Sequence, residues 1–359
     1  MNDLKMFKIL ILILFLSNTV FAGNPFKGAN AITNSEYIYQ PQEVSFPSCH
    51  ASTITETSEG LIAAWFGGTE ERAINVCIYC SSNLKGKWSK PVLVADGVQE
   101  GKRYPCWNPV LFTKDNGEII LFYKVGPNPQ SWWGLYKTSK DNGRTWSVAT
   151  KIPENLLGPI KNKPVKLPNG KILYPTSFES AKAWNIYLET SDQNLNEWQK
   201  IAIDNNQLNS IQPTILTYKN GLIQLLCRSK NKNINESHSE DGGQTWSALT
   251  PTQLPNNNSG IDGVTLADGR QILVFNPIII GRNELAVAVS KDGNKWNAAV
   301  LLENDPDSNA EFSYPAVIQS KDGLIHVTYT WNRKLIKHVV IDPSMLKTKP
   351  MSNGQWPDE

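Results

Sequence analysis

The sequence predicts an all-β chain folded as a six-bladed β-propeller, on three observations. A glycine turn between two apolar runs recurs at Gly60, Gly117, Gly170, Gly221, Gly269 and Gly323, at intervals of 48 to 57 residues. A polar turn closed by tryptophan follows some copies: "SKDNGRTWS" at 139–147, "SEDGGQTWS" at 239–247 and "SKDGNKW" at 290–296. The sixth copy holds only three strands, and the N-terminal "SEYIYQPQ" (35–42) is free to supply the fourth. Repeats of this length made of four short strands mark a propeller, and the borrowed strand closes the ring and removes its free edges.

Residues 1–22 read as a signal peptide. Lys5 and Lys8 flank the start of an apolar run, and Val20 and Ala22 are small residues spaced for cleavage before Gly23. The run is short for a transmembrane span. The expected location is therefore periplasmic or secreted, with association at the inner membrane left open. Residues 23–359 are expected to form a single six-bladed domain.

Each repeat reads as strand, glycine turn, strand, loop, strand, polar turn, strand. Asn-Gly and Asp-Gly supply the positive φ of a tight hairpin. In the polar turn the aspartate accepts backbone N–H groups, the glycine takes φ > 0 and the tryptophan packs under the sheet. Worn copies keep the Ser-to-Trp spacing at Ser81/Trp88 and Ser191/Trp198. These turns are structural staples.

Composition excludes several function classes. The chain has 359 residues, 40% of them apolar, and 35 Lys+Arg against 33 Asp+Glu give a formal charge of +2. With no basic run, nucleic acid is not an expected partner. Cys77 and Cys80 lie three apart in "NVCIYCSS", a strand-like stretch, and no histidine cluster accompanies them. The five cysteines read as buried apolar thiols, and neither a metal nor a cofactor is expected.

Strand direction then sorts the polar residues. Both turn types lie on one face of the ring, so the other face gathers the start of each inner strand and the end of the next strand. Those positions include His50, Asn108, Lys161, Lys163, Gln212, Asp262 and Tyr314 from inner strands. Glu70, Glu71, Lys124, Glu179, Arg228, Arg282 and Arg333 stand at or just beyond the ends of second strands. Cations aimed at one funnel are costly without a partner, which points to an anionic ligand, most simply a carboxylate. Lys161 and Lys163 share a face by period two. Trp132 and Trp133 in "GPNPQSWWG" are candidates for a sugar platform at the rim.

At these positions the chain resembles the sialidase superfamily, whose propellers carry the same polar turns as Asp boxes or BNR repeats. The resemblance implies Arg228 in "LIQLLCRS" and Arg282 in "NPIIIGRNELAVAVS" as carboxylate-binding arginines. It implies Tyr314 in "FSYPAVIQSKDG" as nucleophile, and Glu71 in "WFGGTEERAINV" as proton donor, with Glu70 beside it. A keto-sugar acid carries its carboxylate on the anomeric carbon, so a neutral tyrosine suits it better than a carboxylate nucleophile. A base must take the phenol proton, because an unperturbed phenol ionises near pH ~10.

Two departures from the family pattern are visible. The first-blade stretch that normally carries a third arginine reads "FPSCHAST", with His50 instead. The glutamate that normally activates the tyrosine is expected at 209–212, where this chain has "NSIQ". Lys163, Arg333 and Arg103 are the candidates to complete the clamp, and Glu311 and Glu179 to reach the tyrosine.

The stretches "SCHAST", "RYPCWNPVLF", "GPIKNKPV" and "EFSYPAVIQ" are similar to a sialidase-like group. Some of its Gram-negative members resemble the soluble-looking subunit of a two-component Kdo hydrolase. The expected function is an exo-glycosidase releasing a terminal keto-deoxy sugar acid, sialic acid or Kdo, from a glycoconjugate or lipopolysaccharide. Catalysis would rest on Tyr314 and Glu71, and binding on Arg228, Arg282, Arg333, Lys163, His50 and Asn108. The resemblance admits a membrane-protein partner. The rival reading is a non-catalytic propeller that binds glycans or scaffolds a membrane complex, and a third uses His50 as acid/base on another uronate or rhamnose-bearing glycan.

Overall fold

A computed structural model describes residues 24–359; the leader read at 1–22 lies outside them. Six antiparallel sheets follow one another along the chain. Their inner two strands are Ser48–Thr57 and Gly60–Gly68 in blade 1, Cys106–Thr113 and Ile119–Val125 in blade 2, and Val165–Lys166 and Ile172–Glu179 in blade 3. In blade 4 they are Ser210–Thr217 and Ile223–Ser229, in blade 5 Asp262–Thr265 and Gln271–Phe275, and in blade 6 Phe312–Gln319 and Ile325–Trp331. The ring closes where Ile32–Tyr37 pairs antiparallel with Leu335–Ile341 of blade 6. The closing strand thus lies earlier than the 35–42 expected. Pro41 lacks an N–H and opens a short 3-10 turn, Pro41–Glu43, so pairing ends once Ile38 N has donated to Ile336 O at 2.9 Å.

Apolar layers fill the gaps between adjacent blades. Val274, Leu285 and Val287 of blade 5 meet Phe312, Val317 and Val327 of blade 6, and Phe122 of blade 2 meets Tyr174 of blade 3. Each sheet is buried on both faces, which is why the inner strands read as near-continuous apolar runs in the sequence. The polar turns staple the outer strands as expected. Ser139 Oγ donates to Asp141 Oδ1 at 2.8 Å while Gly143 N and Thr145 N donate back to Ser139 Oγ and Asp141 Oδ1, both at 2.9 Å. The Thr145 hydroxyl and these other donors hold Asp141 down to about 2.

The closing blade carries a buried polar chain. His338 Nδ1 lies 3.2 Å from Glu36 Oε1 on the closing strand, His338 Nε2 lies 3.0 Å from His326 Nδ1, and His326 Nε2 lies 2.9 Å from Ser320 Oγ. Burial, with His338 adding to it and Asp322 opposing, pulls His326 down to about 4. A histidine whose folded pKa lies below its unfolded value binds the proton better when unfolded. Its contribution is therefore complete above pH ~6.5 and is lost as pH falls toward about 4. We expect on the order of 3 kcal/mol of stability to disappear across that window. Melting temperature measured from pH 7 to pH 4 should drop, and His326→Gln should flatten that part of the profile; an unchanged profile refutes the account.

Candidate functional site

Four inner strands are kinked at the same level of the ring. Registers slip between His50 and Thr53, opposite Phe122 to Lys124 in blade 2, between Ile211 and Thr214, and between Ser313 and Ala316. At each slip one non-glycine residue takes positive φ: Ala51 at 57°, Asn108 at 35°, Gln212 at 54° and Tyr314 at 53°. Proline follows three of the four, at 109, 213 and 315, and cannot donate to the ladder. A bulge re-aims a side chain and raises strand twist, and a left-handed Tyr costs on the order of 1–3 kcal/mol. The fold tolerates that strain to present Asn108, Gln212 and Tyr314 at one end of the axis.

Tyr314 stands on cations. Arg228 Nη1 donates to the Tyr314 hydroxyl at 2.7 Å and to Gln212 Oε1 at 3.1 Å. Its Nη2 donates to Asn258, to Oδ1 at 2.8 Å and to the main-chain oxygen. Arg228 is 4% exposed, and all these acceptors are neutral. Burial lowers its pKa, with Tyr314 pulling the other way and Arg282 reinforcing the decrease. The Arg228 guanidinium also lies 5.3 Å from the Trp184 ring centroid.

Lys161 lies beneath Tyr314. Its Nζ donates to Asn162 Oδ1 at 2.7 Å, Ile261 O at 2.9 Å and Pro315 O at 2.5 Å, and stands 5.8 Å from the Tyr314 ring centroid. Three acceptors match three ammonium protons, although burial pulls the group down to about 7. By holding the carbonyl of Pro315, Lys161 pins the backbone bulge that carries Tyr314. A Cβ on Gly260 would come within 3.0 Å of Lys161 Cε, so glycine there lets the lysine in.

The other arginines share carboxylates. Glu311 Oε1 accepts from Arg282 Nη1 at 2.9 Å, and both Glu311 oxygens lie 3.0 Å from Arg333 Nε. Arg333 Nη1 reaches on to Glu71 Oε2. Burial pushes the Glu311 carboxyl up, but Arg333 and Arg282 outweigh it and hold it below the usual range. Glu311 is also bonded by Ser313 Oγ at 2.7 Å. This chain of alternating charge ties the loops of blades 5, 6 and 1 together around the mouth.

The structure brings Tyr314, Arg228, Arg282, Arg333 and Glu71 to one face, while Asn108 is buried at the blade 2 bulge. It separates Glu71 from Glu70, which is exposed and lends only its carbonyl to a turn with Ala73. Three expectations need correction. Lys163 does not face the mouth: its Nζ pairs with Asp262 Oδ2 at 2.9 Å and with Gly263 O at 2.7 Å, deeper in the axis. The inner strand of blade 3 is only Val165–Lys166, so period two does not govern Lys161 and Lys163. Arg103 reaches Asp96 at 3.5 Å and Cys77 Sγ at 3.6 Å, away from the clamp. His50 is 2% exposed and packs behind Tyr314, their ring centroids 4.1 Å apart, rather than facing the mouth. Burial and the charges of Arg333, Arg282, Arg228 and Lys161 push His50 well below 6.5, so it stays neutral.

Sequence reasoning missed Asn258, which sits in the loop "NNNSG" and holds Arg228; the run signals a turn but not its target. The role of Lys161 was equally hidden, because its acceptors are main-chain carbonyls of blades 5 and 6.

A family model described as a BNR repeat-like domain matches residues 59–327. The chain belongs to this BNR repeat-like family. Solved structures share the six-bladed propeller fold of this BNR-repeat chain. It is similar to the NanB sialidase of Streptococcus pneumoniae, with a TM-score of 0.68 and 13% identity over 87% of this chain and 71% of that one. It is similar to the intramolecular trans-sialidase of Ruminococcus gnavus, with a TM-score of 0.68 and 16% identity over 89% and 99%. A protein of unknown function from Dyadobacter fermentans is similar at a TM-score of 0.71 and 14% identity, over 87% and 98%. No curated protein matches the sequence. At these identities the BNR-repeat likeness establishes the fold, and the chemistry rests on the side chains.

Proposed function

We propose that this protein is an exo-glycosidase that releases a terminal keto-deoxy sugar acid, sialic acid or Kdo, with retention through a tyrosyl intermediate. The supporting observation is Arg228, a buried guanidinium whose hydrogen-bond partners among the described residues are neutral and include the hydroxyl of Tyr314. A desolvated cation with no carboxylate hydrogen-bonded to it favours an anion, and the substrate carboxylate supplies one.

The substrate carboxylate seats against Arg228, Arg282 and Arg333 and displaces Glu71 from Arg333. Glu71, released at the mouth, takes a proton from solvent and gives it to the glycosidic oxygen as that C–O bond breaks. The Tyr314 oxygen forms its bond to the anomeric carbon in the same step. Glu311 is saturated by two arginines and Ser313, which leaves Glu179 to receive the phenol proton. Burial raises the Glu179 pKa against the opposing charges of Arg228 and Lys230, making it a better base than an exposed carboxylate. Water then attacks the anomeric carbon, Glu71 takes its proton, the C–O bond to Tyr314 breaks, and Glu179 returns its proton to the phenolate. An exported chain would meet such a glycoconjugate in the periplasm or outside the cell, with a membrane protein as partner where the substrate is lipid-anchored.

The test assays purified protein on a fluorogenic sialoside and on Kdo-capped lipid A, with and without membranes. Glu71→Gln should lower turnover of a natural glycoside by about 10^2–10^4-fold, and far less with a good aryl leaving group that needs no proton. Equal losses on both substrates would remove Glu71 from the acid role. The rival, a glycan-binding propeller without turnover, draws support from Gln212 standing where a carboxylate would activate the tyrosine. Tight sugar-acid binding with no hydrolysis under any membrane condition decides for it.

A further inference from the structure

We infer that Asn162 is a positioning residue for Arg228, and that it divides with Lys161 the control of the two bulges carrying Gln212 and Tyr314. The inference rests on the glycosidase reading above for what Arg228 and Tyr314 do; it concerns how they are held.

The inner strand of blade 3 is two residues long, where those of blades 2 and 4 run to eight. The stretch 157–163 therefore enters the axis without a ladder, and its backbone needs other partners. Two fully buried charges provide them. Lys124 Nζ donates to Pro159 O at 2.8 Å, and Glu189 accepts from Leu157 N and Gly158 N at 2.9 and 2.7 Å. Ile160 N donates to Pro175 O at 3.2 Å, and Thr176 Oγ1 to Gly158 O at 3.1 Å. The stretch is thus fixed to blades 2 and 3 before it reaches the centre of the ring.

At the centre two neighbouring side chains turn to different blades. Asn162 Nδ2 donates to Gln212 O at 3.1 Å and to Pro213 O at 3.0 Å, both in blade 4. Gln212 N donates to Ser177 Oγ at 3.1 Å, so its left-handed backbone is held on both sides. Gln212 Oε1 then accepts from Arg228 Nη1, which makes Asn162 the remote anchor of the guanidinium. Lys161 turns instead to Ile261 O and Pro315 O, and through Pro315 it seats Tyr314. The two are joined, because Asn162 Oδ1 accepts from Lys161 Nζ at 2.7 Å. A non-glycine residue at positive φ persists only where its surroundings over-determine it, and this pair does so at both bulges.

The test measures kcat and KM separately on one acid-sugar glycoside. Asn162→Ala should raise KM about tenfold or more with kcat within about threefold, because Arg228 loses its alignment. Lys161→Met should lower kcat about tenfold or more with KM within about threefold, because the nucleophile loses its seat while the arginines stay. Lys161→Gln, which still donates to a carbonyl, should recover part of that loss, and it carries the comparison if Lys161→Met does not fold. Parallel changes in kcat and KM in both variants, or wild-type kinetics in either, overturn the inference. If the wild-type protein cleaves no such glycoside, the glycosidase reading fails, and positioning is read by NMR with isotope-labelled tyrosine and arginine. The Tyr314 and Arg228 signals are assigned by their loss in Tyr314→Phe and Arg228→Met. A displaced Arg228 signal in Asn162→Ala together with a displaced Tyr314 signal in the Lys161 variant supports the inference; either signal unmoved overturns it.

Discussion

Tyr314→Phe should lower turnover of an acid-sugar glycoside by about a thousandfold or more, with the fold intact. The substitution removes one oxygen and keeps the ring. The contact with His50 and the place above Lys161 survive, and Pro315 O still accepts from Lys161 at the bulge. Arg228 loses one acceptor but keeps Gln212 and Asn258. KM should therefore change little, because the carboxylate clamp is untouched, and the loss should fall on kcat. Circular dichroism and melting temperature distinguish a folded, inactive variant from a damaged one. Residual turnover within tenfold of wild type in a folded variant would remove the tyrosyl intermediate from the mechanism.

Arg228→Met should separate stability from function. The methionine is similar in length but carries no charge, so it removes a guanidinium that burial already disfavours. Replacing a desolvated charge by an apolar chain is often neutral or stabilising, against about 1–3 kcal/mol for acceptors left unmet. Melting temperature should consequently shift by only a few degrees, in either direction. Binding should behave otherwise: kcat/KM should fall about 10^2–10^3-fold, and the free sugar acid, expected to raise the melting temperature of wild type by mass action, should not raise that of the variant. A variant that still gains stability from the sugar acid shows that the carboxylate sits elsewhere.

Which parts of this site were legible depends on the range of the interactions. Arg228 and Tyr314 could be placed because each occupies a fixed station within a repeat, at the end of a second strand or the start of an inner one. The pairing of Arg333 with Glu71 and Glu311 could not, since it joins blades 1 and 6 across the seam where the two ends of the chain meet. Lys163 was assigned to the funnel from its place at the start of an inner strand and from alternation, and both require a strand that in blade 3 begins only at Val165. The bulges at Asn108, Gln212 and Tyr314 left only proline as a trace, and proline marks many other turns.

The chain's own order of turns determined six blades and a strand exchanged between its ends. Hairpin glycines, Asx turns and apolar alternation act over a few residues, and a local cause leaves a local mark. Which charge meets which was settled only when the ring closed, because burial and ion pairing depend on side chains hundreds of positions apart and carry no spacing of their own.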